Sequence, residues 1–183
     1  MRIIAGEHRG RRLLPPTDQD TRPVTDRVKQ SLFDVVTPYL ADATHAMDVF
    51  AGTGSFGLEA ASRGVEHVTC FEKHKPALER LRKNIEAMGL RTRVTVRTKD
   101  IYSEDFAGLP TAGVIFLDPP YRQVRAGTYD LDQLVGRLVA MLDEEGVIVF
   151  RHDEADGDVV LKSGREVDRR TWGNMTARLL TRE

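Results

Sequence analysis

Asp48-Val-Phe-Ala-Gly-Thr-Gly-Ser-Phe-Gly57 decides how the rest of the chain is to be read. Its first residues close an apolar stretch, and Leu58-Glu-Ala-Ala-Ser62 behind it suits a helix, so the segment reads as strand, glycine turn and helix start. Gly52, Gly54 and Gly57 make a complete G-x-G-x-x-G, and Glu72 ends the next apolar run at the distance where a ribose-binding acid belongs. Such glycines permit a tight turn and let a ligand come close to the backbone, and a carboxylate at Glu72 can accept hydrogen bonds from ribose hydroxyls. The pattern therefore points to a nucleoside cofactor without choosing one.

Asp48 tilts that choice. A carboxylate just before the first glycine, at the mouth of the cleft, would repel a diphosphate and suit an ammonium group. S-adenosylmethionine carries such an ammonium beside a carboxylate that a helix amino terminus can receive. Two other loop chemistries are excluded by inspection. A phosphate-binding loop needs Lys and Ser or Thr where Leu58-Glu59 follow. A nucleophile elbow needs glycine two residues before Ser55, where Thr53 stands.

Outward from the loop, strands are expected near 46–50, 67–71, 92–97, 113–117 and 146–151, with helices near 56–63, 75–88 and 129–142 between them. This alternation predicts an α/β fold with a mostly parallel, Rossmann-like sheet. Leu78, Leu81, Ile85 and Met88 form one helical stripe, and Leu131, Leu134, Leu138 and Met141 another. Alternating runs at 164–172 and 175–181 meet at Gly173-Asn174, a hairpin signal, so the sheet is expected to end in an antiparallel hairpin as its sixth and seventh strands. Upstream, Thr25 reads as the cap of a helix with Val28, Leu32, Val35, Val36, Tyr39 and Leu40 on one face and Arg27 and Lys29 on the other. Arg2–Ala5 and Arg11–Leu14 flank Gly6-Glu-His-Arg-Gly10 as a short β-hairpin, with a polar linker from Thr17 to Pro23. The expectation is one domain, 1–183, made of an appendage (1–24) and a catalytic body (25–183).

Composition sets limits on function. With 40% hydrophobic and 30% charged residues in 183, the chain reads as an ordinary soluble domain, and no apolar run is long enough to span a bilayer. A cytoplasmic location is expected. Cys70 is the only cysteine and the five histidines show no ligand spacing, so neither a disulfide nor a metal is expected. The net charge is −1, yet Arg2, Arg9, Arg11 and Arg12 crowd the first fourteen residues against the single acid Glu7.

Asp118-Pro-Pro-Tyr121 follows the apolar run Val114-Ile-Phe-Leu117. Ligands of open α/β sheets lie at the carboxyl ends of strands, which would put this tetrapeptide in the same crevice as the glycine loop. An exocyclic base amine is a poor nucleophile because its lone pair is delocalised into the ring. Acceptors at the Asp118 carboxylate and the Pro119 carbonyl could take its hydrogens and align the nitrogen with a sulfonium methyl, while Pro120 stiffens the turn. Tyr121 offers a ring on which a base can stack. Guanine and adenine amines, and RNA and DNA, remain equivalent at this level.

Asp-Pro-Pro-Tyr is similar to the signature of methyltransferases acting on exocyclic amines. Arg2-Ile-Ile-Ala-Gly6, Arg9-Gly-Arg11, Thr21-Arg-Pro-Val-Thr-Asp-Arg-Val28, Leu32-Phe33, Phe50-Ala-Gly-Thr-Gly54, Gly57-Leu-Glu-Ala60 and Ser62-Arg-Gly64 resemble the bacterial small-subunit (16S) ribosomal RNA guanine-N(2)-methyltransferases of the RsmD type. The resemblance implies S-adenosylmethionine as cofactor and a guanine 2-amino group in an assembling small ribosomal subunit as acceptor. It makes Asp118, Pro119, Pro120 and Tyr121 the active-site loop and places Glu72 on the cofactor ribose and Asp100 at the adenine amino group. Asp48, Phe50, Gly52, Gly54, Ser55, Gly57 and Ile101 would complete the cofactor surface. It turns Arg9, Arg11, Arg12, Arg22, Arg27 and Lys29 into candidate phosphate contacts, which position RNA without reading its sequence. The enzyme is expected to act as a monomer. Trp172-Gly-Asn-Met-Thr176 departs from the Tyr-Gly-Asp-Thr common in that family. The other readings are a DNA adenine amino-methyltransferase, a nicotinamide-dependent oxidoreductase and a noncatalytic RNA-binding module.

Overall fold

The computed structural model describes residues 1–16, 25–120, 131–156 and 159–182. Seven strands form one sheet in the order β3-β2-β1-β4-β5-β7-β6. They are β1 (His45–Val49), β2 (His67–Phe71), β3 (Val94–Arg97), β4 (Ala112–Leu117), β5 (Leu142–Asp153), β6 (Arg165–Trp172) and β7 (Met175–Thr181). The first five run parallel, and β7 is antiparallel to both β5 and β6. The helices are α1 (Asp26–Leu40), α2 (Gly57–Ser62), α3 (Lys75–Ala87) and α4 (Leu131–Val139). This is the Rossmann-like sheet with a terminal hairpin that the alternation of the sequence predicts. None of the described helices is long and apolar enough to cross a membrane.

The strand order positions the site. The chain moves outward from β1 through β2 to β3, then returns to lay β4 on the other side of β1. Between β1 and β4 the connections diverge, leaving a crevice at their carboxyl ends. Both faces of the sheet are covered, so β1 and β4 are buried at every residue and read as apolar runs rather than alternating ones. On one face Phe33 of α1, Phe56 and Phe116 form a ring cluster, with Phe56 stacked on Phe116 at 5.5 Å. On the other, Leu134, Val135 and Leu138 of α4 pack with Phe150, and Phe71 meets Phe106 edge-on.

Thr25 caps α1 as expected, its hydroxyl accepting from Val28 N at 3.3 Å. The last crossover differs from the expected helix through 142. The Met141 carbonyl accepts from Ala112 N at 2.9 Å and Leu142 pairs with Ala112, so the strand ladder captures residues 142–145. A bulge follows, and Gly146 allows it because a Cβ there would lie 2.8 Å from Ala112 O.

The amino-terminal hairpin is reduced to one bridge between Arg2 and Arg12, with Ile3 N donating to Arg11 O and Gly10 N to Ile3 O. Docking replaces strand pairing as its support. Gly6 has φ of +81° and sits so close to α2 that a Cβ would lie 1.7 Å from Ser62 O. Around it Glu7 N donates to Ser62 O, His8 N to Ser62 Oγ and Ser62 Oγ to Ala5 O.

Candidate active site

The glycine loop leaves β1 through a backbone that few residues adopt. Phe50 has φ of +65°, the left-handed region, which costs a residue with a side chain about 1–3 kcal/mol. That turn sends Ala51 N to Phe71 O at 2.9 Å and closes Gly54 N onto Ala51 O at 2.8 Å. Gly57 is required by space, since a Cβ there would fall 2.9 Å from Cys70 Sγ and 3.0 Å from Asp48 Oδ2.

Asp48 is not at the mouth of the cleft. Its side chain lies beneath the loop with the residue only 1% exposed, because β1 is central and turns this position toward α2. Oδ2 accepts from Gly57 N at 2.7 Å and so holds the start of α2. Oδ1 is buried and has no hydrogen-bond partner among the described residues, and neither has Ser55 Oγ on the same loop. Burial pushes the Asp48 carboxyl up to about 7; the Gly57 N–H opposes this, and Asp118 and Glu72 nearby reinforce it. A buried acceptor left unpaired costs about 1–3 kcal/mol, so a ligand bringing an ammonium donor fits this loop.

Glu72 braces the loop from the side. One carboxylate oxygen accepts from Gly52 N at 2.8 Å and the other from His74 N at 2.7 Å. Burial raises its carboxyl above the usual range against the pull of these donors. Each oxygen keeps a second lone pair for a ligand hydroxyl. At the end of β3, Asp100 Oδ1 accepts from Tyr102 N at 3.2 Å, and Lys73 Nζ lies 2.5 Å from Oδ2. That lysine holds the Asp100 carboxyl below its ordinary value. Ile101 is buried beside it, and the Phe50 and Tyr102 rings approach to 6.1 Å. Phe50, Gly52, Glu72, Asp100 and Ile101 thus gather around the carboxyl ends of β1, β2 and β3.

Asp118 stands across the crevice. Its backbone N–H donates to Val49 O at 3.3 Å, so the second loop leaves the sheet directly beside the first. Pro119 is buried and Pro120 exposed, while Tyr121 lies outside the described residues. The Asp118 carboxylate is gripped by Arg151 of β5, Nε to Oδ1 at 2.7 Å and Nη2 to Oδ2 at 2.8 Å. Nothing local in the sequence marks Arg151, which ends an apolar run of ordinary strand composition. The available signal was its place at the carboxyl end of the strand next to β4. Also at the carboxyl end of β5, Asn174 of the terminal hairpin donates through Nδ2 to Asp153 Oδ2 at 2.8 Å, and Asn174 O accepts from Glu154 N.

The basic candidates separate into two groups. Arg9, Arg11, Arg12 and Arg27 are exposed, although the Arg11 guanidinium donates to Ala87 O, and Arg22 lies outside the described residues. Lys29 does not belong with them. It is fully buried, with Nζ 2.9 Å from Glu59 Oε2 and donating to Arg2 O at 3.1 Å. Glu59, equally buried, also accepts from Ile4 N, Ala5 N and Arg63 Nε. Asn84 of α3 makes a second tie, accepting from Leu14 N and donating to Thr53 O of the glycine loop at 2.9 Å.

A Rossmann-like sheet, a glycine loop over a buried acid and an adjacent Asp-Pro-Pro turn together define a methyltransferase, and some of the solved structures similar to it carry that description. An Escherichia coli structure, YhhF, to which methyltransferase activity is ascribed, superimposes with a TM-score of 0.80 at 28% identity, over 100% of this chain and 98% of that one. The chain belongs to the family described as Conserved hypothetical protein 95, that of the RsmD-type enzymes, whose model matches residues 1–181. YlbH of Bacillus subtilis, to which rRNA methyltransferase activity is ascribed, is 35% identical over 170 residues, 88% of this chain and 90% of the relative. Ribosomal RNA small subunit methyltransferase D of Escherichia coli is 36% identical over 123 residues, covering 67% of this chain but 61% of that protein.

Proposed function

We propose that this chain acts as a single-domain enzyme that methylates the exocyclic 2-amino group of a guanine in small-subunit ribosomal RNA, with S-adenosylmethionine as the methyl donor. The observation that carries the proposal is the Asp118 N to Val49 O hydrogen bond, which sets a carboxylate and a proline-fixed turn beside the glycine loop. Asp48 Oδ1 and Ser55 Oγ would meet the amino-acid end of the cofactor, Glu72 its ribose, and Asp100 and Ile101 its adenine, with Phe50 on the way between them. The chemistry that S-adenosylmethionine supplies when bound is an electrophilic sulfonium methyl. Asp118 and the Pro119 carbonyl would accept the amine hydrogens, turn the nitrogen lone pair toward that carbon and stabilise the positive charge that develops on the nitrogen, whose surplus proton would then leave to solvent. Neither a metal nor a covalent enzyme intermediate is needed. Pro120 and Tyr121 complete the turn and the stacking surface. Arg9, Arg11, Arg12, Arg22 and Arg27 would hold RNA phosphates, and the substrate is an assembling small subunit bound by one copy of the chain in the cytoplasm.

The ribosomal RNA substrate is supported by relatives named for ribosomal RNA, and a guanine 2-amino acceptor fits membership of the RsmD family. The test is radiolabelled methyl transfer to naked ribosomal RNA, mature small subunits, partly assembled subunits and DNA, followed by mapping of the modified base. Label is expected on one guanine of a partly assembled subunit. Asp118→Ala should abolish transfer while S-adenosylmethionine binding survives. Label on DNA adenine, or a variant with near-normal turnover, would overturn the reading.

A further inference from the structure

We infer that Arg151 is a positioning residue that fixes Asp118 against the glycine loop and so sets the line between methyl donor and acceptor amine. This rests on the methyltransferase reading above and adds a residue to its machinery.

The inference begins with the geometry of the fork. Nε and Nη2 of one guanidinium each take one oxygen of the Asp118 carboxylate, at 2.7 and 2.8 Å. A planar fork on a planar carboxylate fixes rotation about the last side-chain bond, which a lysine at the same place would leave free. The carboxylate cannot turn away from the crevice without losing both bonds. Its remaining lone pairs stay directed where the acceptor amine would enter.

The second observation concerns what lies under the guanidinium. Arg151 Cζ sits 5.9 Å from the centre of the Phe56 ring, and Phe56 is the penultimate residue of the glycine loop, itself stacked on Phe116 of β4. Arg151 therefore touches both halves of the site, the aromatic residue of the cofactor loop and the acid of the amine loop. Its side chain is only 10% exposed and that of Asp118 20%. A guanidinium buried to that extent is not offered to an RNA phosphate, which separates Arg151 from the exposed arginines of the appendage. The register of the sheet supplies the reach, since Phe150 of β5 pairs with Leu117 of β4, and Arg151, next along β5 and still paired with Ala177 of β7, faces the point where Asp118 leaves β4.

An arginine that merely ties β4 to β5 would show itself in stability. One that aims Asp118 would show itself in turnover, because a misplacement near 1 Å at the reacting groups costs about a hundredfold. The experiment compares wild type, Arg151→Met and Arg151→Lys by thermal melting, S-adenosylmethionine affinity and steady-state methyl transfer to partly assembled subunits. Arg151→Met should lower kcat about a hundredfold, with KM for RNA and cofactor affinity near wild type. Arg151→Lys, a cation without the fork, should recover only part of that loss and remain about tenfold slow. Wild-type kcat in a folded Arg151→Met, or loss confined to melting temperature or cofactor affinity, overturns the inference. If Arg151→Met fails to melt cooperatively, Arg151→Lys decides: a wild-type kcat overturns the inference and a tenfold loss at normal KM supports it. A dead Asp118→Ala beside a fully active Arg151→Met removes Arg151 alone, whereas a wild type that methylates no RNA removes the functional reading itself.

Discussion

Replacing Asp48 by asparagine tests whether the acid beneath the glycine loop selects a cationic ligand. In the ligand-free fold burial pushes this carboxyl up to about 7, while in an unfolded chain it ionises near 3.8. The folded state therefore holds the proton more tightly. This contribution to stability is fully present below about 3.8 and is lost as pH rises through about 7, and the displacement corresponds to about 4 kcal/mol. An ammonium against Oδ1 requires the ionised carboxylate, so below pH 7 binding must release a proton. The ionised fraction rises from about one tenth at pH 6 to about seven tenths at pH 7.4. After allowing for the ligand's own amino group, which titrates near 7.8, the dissociation constant for S-adenosylmethionine should fall roughly sixfold between those two pH values. Calorimetric titration in two buffers of different ionisation enthalpy reads both numbers, the affinity and nearly one proton released per site at pH 6. Asp48→Asn should bind more weakly, release no proton and lose the acid-side dependence. Its ligand-free stability relative to wild type should increase from pH 5 to pH 7.5. Wild-type binding without proton release at pH 6, or an unchanged pH profile in Asp48→Asn, would refute the reasoning.

The remaining expectations separate buried from exposed cations. Lys29→Met breaks an ion pair in which both partners are fully buried and should cost about 3–5 kcal/mol, seen as a lower melting temperature and earlier proteolysis of the first fourteen residues. Arg9→Ala, Arg12→Ala and Arg27→Ala should leave melting and cofactor affinity unchanged. Each should weaken RNA binding and reduce the steepness of log K against log salt by about 0.7–0.9 per lost phosphate contact, measured by filter binding across a salt series.

The two loops and the sheet that carries them were legible because their signals are local. A glycine that must accept positive φ, a proline pair and an apolar run each act within a few residues of chain, so reading along the sequence finds them. Lys29 was misplaced although a signal was present. It stands three and four residues before Leu32 and Phe33, on the same stripe of α1 that is buried, and only its charge argued for the outer side. What buries it is Glu59, thirty residues away in sequence, together with backbone groups of the appendage, a pairing that no local pattern announces. Asp48 went wrong for a related reason. Its position before the glycines puts its backbone near the crevice, but β1 is covered on both faces, so a side chain still within the strand cannot reach solvent. Arg151 was invisible because its importance depends on the neighbour relation of β5 and β4, which is a property of the sheet order.

Under the proposed function, the placement of charge would make this loop suit one nucleoside cofactor and work against another. Asp48, Glu72 and Asp118 lie toward the carboxyl ends of three neighbouring strands, and burial raises the first two carboxyls above their usual range. Arg151 neutralises Asp118 but lies on its far side from Glu72, along the sheet toward β5. The side of the crevice under the glycine loop is therefore left with two acids. A diphosphate laid over Gly52 and Gly54 would add like charges to them in a place screened poorly by water. An ammonium would relieve the unpaired Asp48 oxygen, and hydroxyls would find lone pairs on Glu72. The glycine motif alone admits either ligand. Under the proposed function the two acids beside it would favour the ammonium-bearing ligand, through the cost of keeping carboxylates charged without a partner.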